Sequence, residues 1–203
     1  MKKLVLAGIF ISVIAIAGLF VFRSIRAQDT LGTSRVSKHA AESLQTKIDK
    51  IKRNEASPDP PRAKKEIEVT EAELESYVVF SLRDKIPVQM DSISVQLTPG
   101  AVGADTQLTF NSSTTGNQIL DALVGGTHNL SVRGRLSDAD GLGKFDLDEV
   151  RVDGIPVPRV LIESLVEKYV KPKYPEVDLK APFDLPWGIQ SIDIGQGKAK
   201  IVY

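Results

Sequence analysis

The chain has no cysteine. Disulfides, thiolate nucleophiles and cysteine-ligated zinc are therefore excluded. Histidine is scarce too: only His39 and His128 occur, far apart, which argues against a histidine-rich metal site. Neither sign of charge predominates, with 26 Lys and Arg against 26 Asp and Glu, so bulk attraction to nucleic acid is not expected. No G-x-S-x-G, H-E-x-x-H or P-loop pattern is present. These gaps leave no catalytic constellation. Neither an enzyme nor a cofactor is expected.

Long apolar runs are also rare, and the one that exists is informative. Leu4 to Phe22 is uncharged, with Lys2-Lys3 before it and Arg23 and Arg26 after it. Its length suits a helix crossing roughly 30 Å of hydrocarbon. A cleaved signal peptide is the rival, because Ala15-Ile16-Ala17 offers an A-x-A site. Gly18 to Phe22 prolong the run past that site, which favours an uncleaved signal anchor over residues 1–26. Cationic residues flank both ends, so the positive-inside rule barely orients it. The short Lys-Lys tail resembles a secretory n-region. It is placed in the cytoplasm, making this a single-pass protein of the cytoplasmic membrane with an extracytoplasmic C-terminal part.

Residues 27–65 are read as a stalk helix and a linker. Ala41, Leu44, Ile48 and Ile51 follow the 3-4-3 spacing of a coiled-coil seam over Ser37 to Arg53. About two heptads are fewer than such a seam needs. A weak dimer through the stalk and a single helix lying on the domain or membrane surface both fit. Pro58, Pro60 and Pro61 then forbid a helix and mark the clearest domain boundary.

Residues 66–203 form one domain of common size. Ile67-Glu68-Val69 alternates as a strand, and Thr70 to Glu73 reads as a capping box opening a helix to about Arg83. Met90 to Leu97, Ala101 to Phe110 and His128 to Leu136 alternate apolar and polar, as in an antiparallel sheet with one buried face. Asn111 to Gly126 is a polar insertion with a possible short helix, Gln118 to Val124. Phe145 and Leu147 share one phase while Val150 and Val152 take the other. A β-bulge near Asp148, which bends its strand, explains that shift. Asp153-Gly154 makes a corner. Pro156 and Pro158 are expected to end pairing there, and Pro158 suits the first turn of the helix to Val170. The last strands are Ile189 to Ile194 and Lys198 to Tyr203. The fold class is α+β: after an N-terminal transmembrane helix and stalk comes a bent antiparallel sheet of about six strands, packed on one long and one shorter helix.

The element order of EIEVTEAELESYVVFSL, FDLDEVRVDGIPVPRVLIESLVEKYV and LPWGIQSIDIGQGKAKIVY resembles membrane-anchored bacterial lipid-binding domains of the LmeA-like and YpmS-like kind. These look like small relatives of the tubular lipid-binding (TULIP) superfamily. The resemblance covers most of Ile67 to Tyr203 and implies a bent sheet around a long helix, with an apolar groove for acyl chains. The insertion and the stalk depart from that pattern. The candidate groove lies between the helical stripe Leu161, Leu165, Val166 and Tyr169 and the sheet residues Val95, Leu97, Leu130 and Val132. The same residues read equally as ordinary core.

Other features have bland readings. Asp138, Asp140, Asp146 and Asp148 lack the spacing of a calcium loop and read as wet turn and strand carboxylates, so no metal is expected. His128 has no nucleophile beside it and reads as the start of a strand. Trp187 is either an interfacial aromatic or a cap on the core. The expected partner is membrane lipid, the expected function lipid binding or shuttling. The alternative is a non-catalytic structural or assembly protein of the envelope, working through an envelope protein partner.

Overall fold

The computed structural model describes residues 35–55, 64–83, 89–110, 126–139, 141–172, 179 and 181–203. The apolar run Leu4 to Phe22, most of the proline-rich linker, Asp140 and the insertion with its short helix lie outside the described residues. Among the described residues no helix is long and apolar enough to cross a membrane.

Helix α1 spans Lys38–Glu55. The Ser37 hydroxyl accepts the Ala40 N–H at 3.1 Å and so caps its start. Ala41, Leu44 and Ile51 of the 3-4-3 stripe are buried. Strand β1, Glu66–Thr70, leads into α2, Glu71–Tyr77, through the expected capping box. The helix continues as a π-helical turn over Val78–Leu82. Then come β2 (Gln89–Thr98), β3 (Ala101–Phe110), β4 (Gly126–Ala139) and β5 (Leu142–Val152). All of these neighbours pair antiparallel. The short strand β6 is Ile155–Pro156; helix α3 is Arg159–Leu165, with a π-helical turn over Val166–Val170. Strand β7 (Phe183–Asp184), a 3-10 turn Pro186–Gly188, β8 (Ser191–Ile194) and β9 (Lys198–Val202) complete the chain.

The strands form two sheets, not the single one expected. The larger runs β2-β3-β4-β5-β6, with β7 also paired to β5; the smaller runs β1-β9-β8. The first strand of the domain and its last hairpin thus leave the main sheet. They pack over its inner face, where Val95, Leu97, Leu108, Leu130, Val132 and Leu147 meet Ile192, Ile194, Ala199 and Tyr203 in one cluster. Ile51 of α1 and Val78 of α2 complete the cover. The helix-on-sheet layer is therefore built by α1, α2 and the small sheet, with α3 contributing Ile162 from one side.

Two bulges bend the large sheet. Arg133 pairs with Glu149 but Gly134 with Leu147, leaving Asp148 as the extra residue. This is the bulge that the phase shift in the sequence implied. It lets both Leu147 and Val150 face the core. A second register shift, between Met90 and Ser92, makes Asp91 the extra residue on β2 in the same way.

The corner after β5 differs in detail from expectation. Asp153 and Gly154 have φ of 51° and 79°. Two positive φ values suit a two-residue hairpin turn, whose twist matches the flanking strands. Pairing resumes beyond it, with Ile155 opposite Val152 and Pro156 opposite Arg151. Pro156 is tolerated because β6 is an edge strand, where a missing N–H costs no ladder bond.

Candidate functional site

The expected groove residues fall into two groups. Val95, Leu97, Leu130 and Val132 sit together on the inner face of the large sheet, 0 %, 1 %, 7 % and 8 % exposed. On α3, Val166 is buried and Leu161 half-buried. The side chains of Leu165 and Tyr169 lie outside what is described. Ile162, absent from the expected stripe, is the α3 residue that joins the core cluster. Its position one residue after Leu161 reflects a slightly rotated helix, which a spacing argument alone does not fix.

An open cavity of about 630 Å³ runs along α3. Val160, Val166 and Leu179 supply its apolar lining, and Glu163, Glu167, Lys168 and Lys171 its charged lining. Helical spacing pairs these charges: Arg159 Nε lies 3.3 Å from Glu163 Oε1, and Lys171 bonds to Glu167. Leu179 comes from the connection between α3 and β7. A second recess, of about 460 Å³, lies where Arg35 and Val36 meet β2, β3 and β4 around Ile93, Thr106 and Leu130.

The corner that carries α3 is held by a short polar set. Asp153 Oδ1 accepts the Asn129 N–H at 2.8 Å, and its Oδ2 lies 2.6 Å from His128 Nδ1. The His128 hydrogen bond, followed by that of the Asn129 N–H, holds the Asp153 carboxyl below the usual range. This explains how a non-glycine residue keeps a left-handed backbone here. His128 thus fastens β4 to the corner.

Two carboxylates of the acidic cluster, Asp146 and Asp148, are paired. Arg135 forks onto both carboxylate oxygens of Asp148 at 2.9–3.2 Å, and Lys144 meets Asp146 at 2.9 Å. Among the described residues no group of three or more His, Asp or Glu could hold a metal ion. Trp187 packs half-buried against the core, with Lys52 Nζ of α1 4.9 Å from its ring centroid. That is the core-cap placement. No family model matches the chain, and no curated protein matches it.

Proposed function

We propose that this chain is a membrane-anchored lipid-binding or lipid-shuttling module on the outer side of the cytoplasmic membrane. Residues 1–26 would hold it there. The acyl slot would open along α3, with Val160, Val166 and Leu179 as its apolar wall. Val95, Leu97, Leu130 and Val132 would form the packed layer behind it. The observation that supports the reading is the cavity of about 630 Å³ beside α3, with apolar and charged lining together. Its size is that of a small-molecule site, and its mixed walls suit an amphipathic ligand. Each methylene buried there would contribute about 0.8 kcal/mol. The bilayer buries the same methylenes, so net binding stays weak enough for release.

Native mass spectrometry of the full-length protein, released from detergent micelles, tests this. One phospholipid should remain bound. Ser164 is exposed and lines the cavity, so Ser164→Trp should fill the slot without unfolding the domain and release the lipid. Retention by both proteins would place the lipid on the anchor, and no retention by either would remove the reading. The second reading, an assembly protein without a lipid slot, is favoured by one feature: Val95 and Leu97 are sealed in a filled core.

A further inference from the structure

One row of the large sheet runs from the core out into solvent. Ile93, Thr106, Leu130, Val152 and Ile155 are successive partners across β2 to β6. Directly opposed residues of a ladder point to the same face. Ile93, Thr106 and Leu130 are at most 9 % exposed, but Ile155 is 70 % exposed. Just past the corner, Val160 in the first turn of α3 is 75 % exposed. Pro156 and Pro158 between them are exposed as well. Single exposed aliphatics are ordinary. Here two of them flank a corner stiffened by two prolines and a tight turn.

The path of the chain indicates what lies opposite. Arg35 is pinned to the fold by Glu71, 2.6 Å away. Arg35 and Val36 line the recess that reaches Leu130. Leu130 is two ladder steps from Ile155, about 10 Å at usual strand spacing. The chain therefore joins the fold at the level of the row that ends in Ile155. The Pro99-Gly100 turn marks the other end of the sheet. Only Arg23 to Ser34, twelve residues, separate Arg35 from the apolar run ending at Phe22. Fully extended they reach at most about 40 Å.

We propose that Ile155 and Val160 form an apolar foot that inserts into the interface of the bilayer holding the chain's own N-terminal run. This rests on the membrane-anchored reading of residues 1–26; Val160 also borders the cavity beside α3, so Ile155, which does not, is the position that separates the foot from the slot. Arg159, 3.3 Å from Glu163, adjoins Val160, where its guanidinium group would meet lipid phosphates. The occupant is lipid because the chain's one long apolar run is tethered at this level of the sheet.

The absence of cysteine makes the test clean. Ile155→Cys, Val160→Cys and, toward the other end of β4, the exposed Ser137→Cys are each labelled with the fluorophore NBD. The full-length proteins are reconstituted in phosphatidylcholine–phosphatidylglycerol vesicles with nitroxide-labelled lipid in both leaflets. Probes at 155 and 160 should be quenched at least fivefold more than the probe at 137. Equal quenching at all three sites, in protein that resists carbonate washing, overturns the foot and leaves the anchor standing. Protein that washes off the vesicles removes the anchor and the foot together. All three side chains replaced are exposed, so thermal melting should match that of the parent protein, and two independent foot positions guard against a local defect at either.

Discussion

Glu75 Oε1 accepts the backbone N–H of Val95 at 2.8 Å. One helical turn earlier, Glu71 Oε1 accepts the N–H of Leu97 at 2.7 Å. Four helical residues rise about 6 Å, and two strand residues advance nearly 7 Å. The match lets two carboxylates on α2 replace the carbonyls of a missing neighbour strand. β2 is an edge of the large sheet, and an uncovered edge invites pairing with other chains. Arg35 balances the charge, 2.6 Å from Glu71 and 3.7 Å from Glu75.

Glu75 is only 2 % exposed, so removing its acceptor leaves a buried N–H without a partner. Glu75→Ala should cost about 2–3 kcal/mol, and Glu75→Gln, which keeps an oxygen there, about 1 kcal/mol. Urea unfolding of the two variants measures this. Equal losses would mean that the strand-edge bond is not what Glu75 contributes.

Glu73 gives the fold an acid sensitivity. Burial pushes its carboxyl pKa up, but hydrogen bonds from Lys47, Ser43 and the Thr70 N–H outweigh burial, and the pKa falls below its ordinary value. A carboxyl with a lowered folded pKa stabilises fully above its unfolded value, about 4.3. That stability is lost as pH falls through the folded value. Stability should therefore drop as pH falls below that unfolded value. Glu73→Gln should cost about 1–2 kcal/mol at pH 7 and flatten that acid limb. Unfolding curves at pH 7 and through the acid range decide it, and an unchanged limb would assign the acid sensitivity elsewhere, for example to Asp105 beside Arg133.

Gly134 is required by an aromatic neighbour. A Cβ there would overlap the Phe145 ring and approach the Asp146 carbonyl at 2.9 Å. Gly134→Ala should destabilise by about 1–3 kcal/mol through overpacking. Adding Phe145→Leu should recover part of that loss, giving a coupling that a double-mutant cycle reads. Gly103→Ala meets only the flexible end of Arg133 and should cost less.

Local chemistry was legible in the sequence wherever it acted within one element. The capping box at Thr70, the turn at Asp153-Gly154 and the bulge at Asp148 all follow from residue order and phase. What required distant partners was not. Glu71 and Glu75 look like ordinary acids of a helix, because nothing in their spacing names a strand edge. β1 and the β8–β9 hairpin alternate as any strand does, so periodicity could not assign them to a second sheet. The apolar stripe of α3 was clear, but its rotation decides whether Leu161 or Ile162 meets the core. The Ile155–Val160 corner carried no signal beyond its prolines.

The stalk stripe also had two readings, and its packing leads to a sharp expectation. Ala41, Leu44 and Ile51 are 3 %, 5 % and 2 % exposed within the fold. Around them, Ser43 donates to Glu73 Oε1 and Lys47 to the Glu68 carbonyl, both at 2.6 Å, and Tyr77 donates to Gln45 at 3.1 Å. Burial of Leu44 and Ile51 alone is worth about 3–6 kcal/mol, before the polar bonds. Helix α1 thus belongs to the domain even though a proline-rich stretch separates it from β1. Limited trypsin digestion should cut near Arg62, yet the two fragments should elute as one particle in size-exclusion chromatography and part only in denaturant. Ile51→Ala should cost about 2–5 kcal/mol and let the nicked helix escape. Fragments that separate without denaturant would instead make α1 a free stalk, and its apolar stripe would again be open to pairing with a second copy.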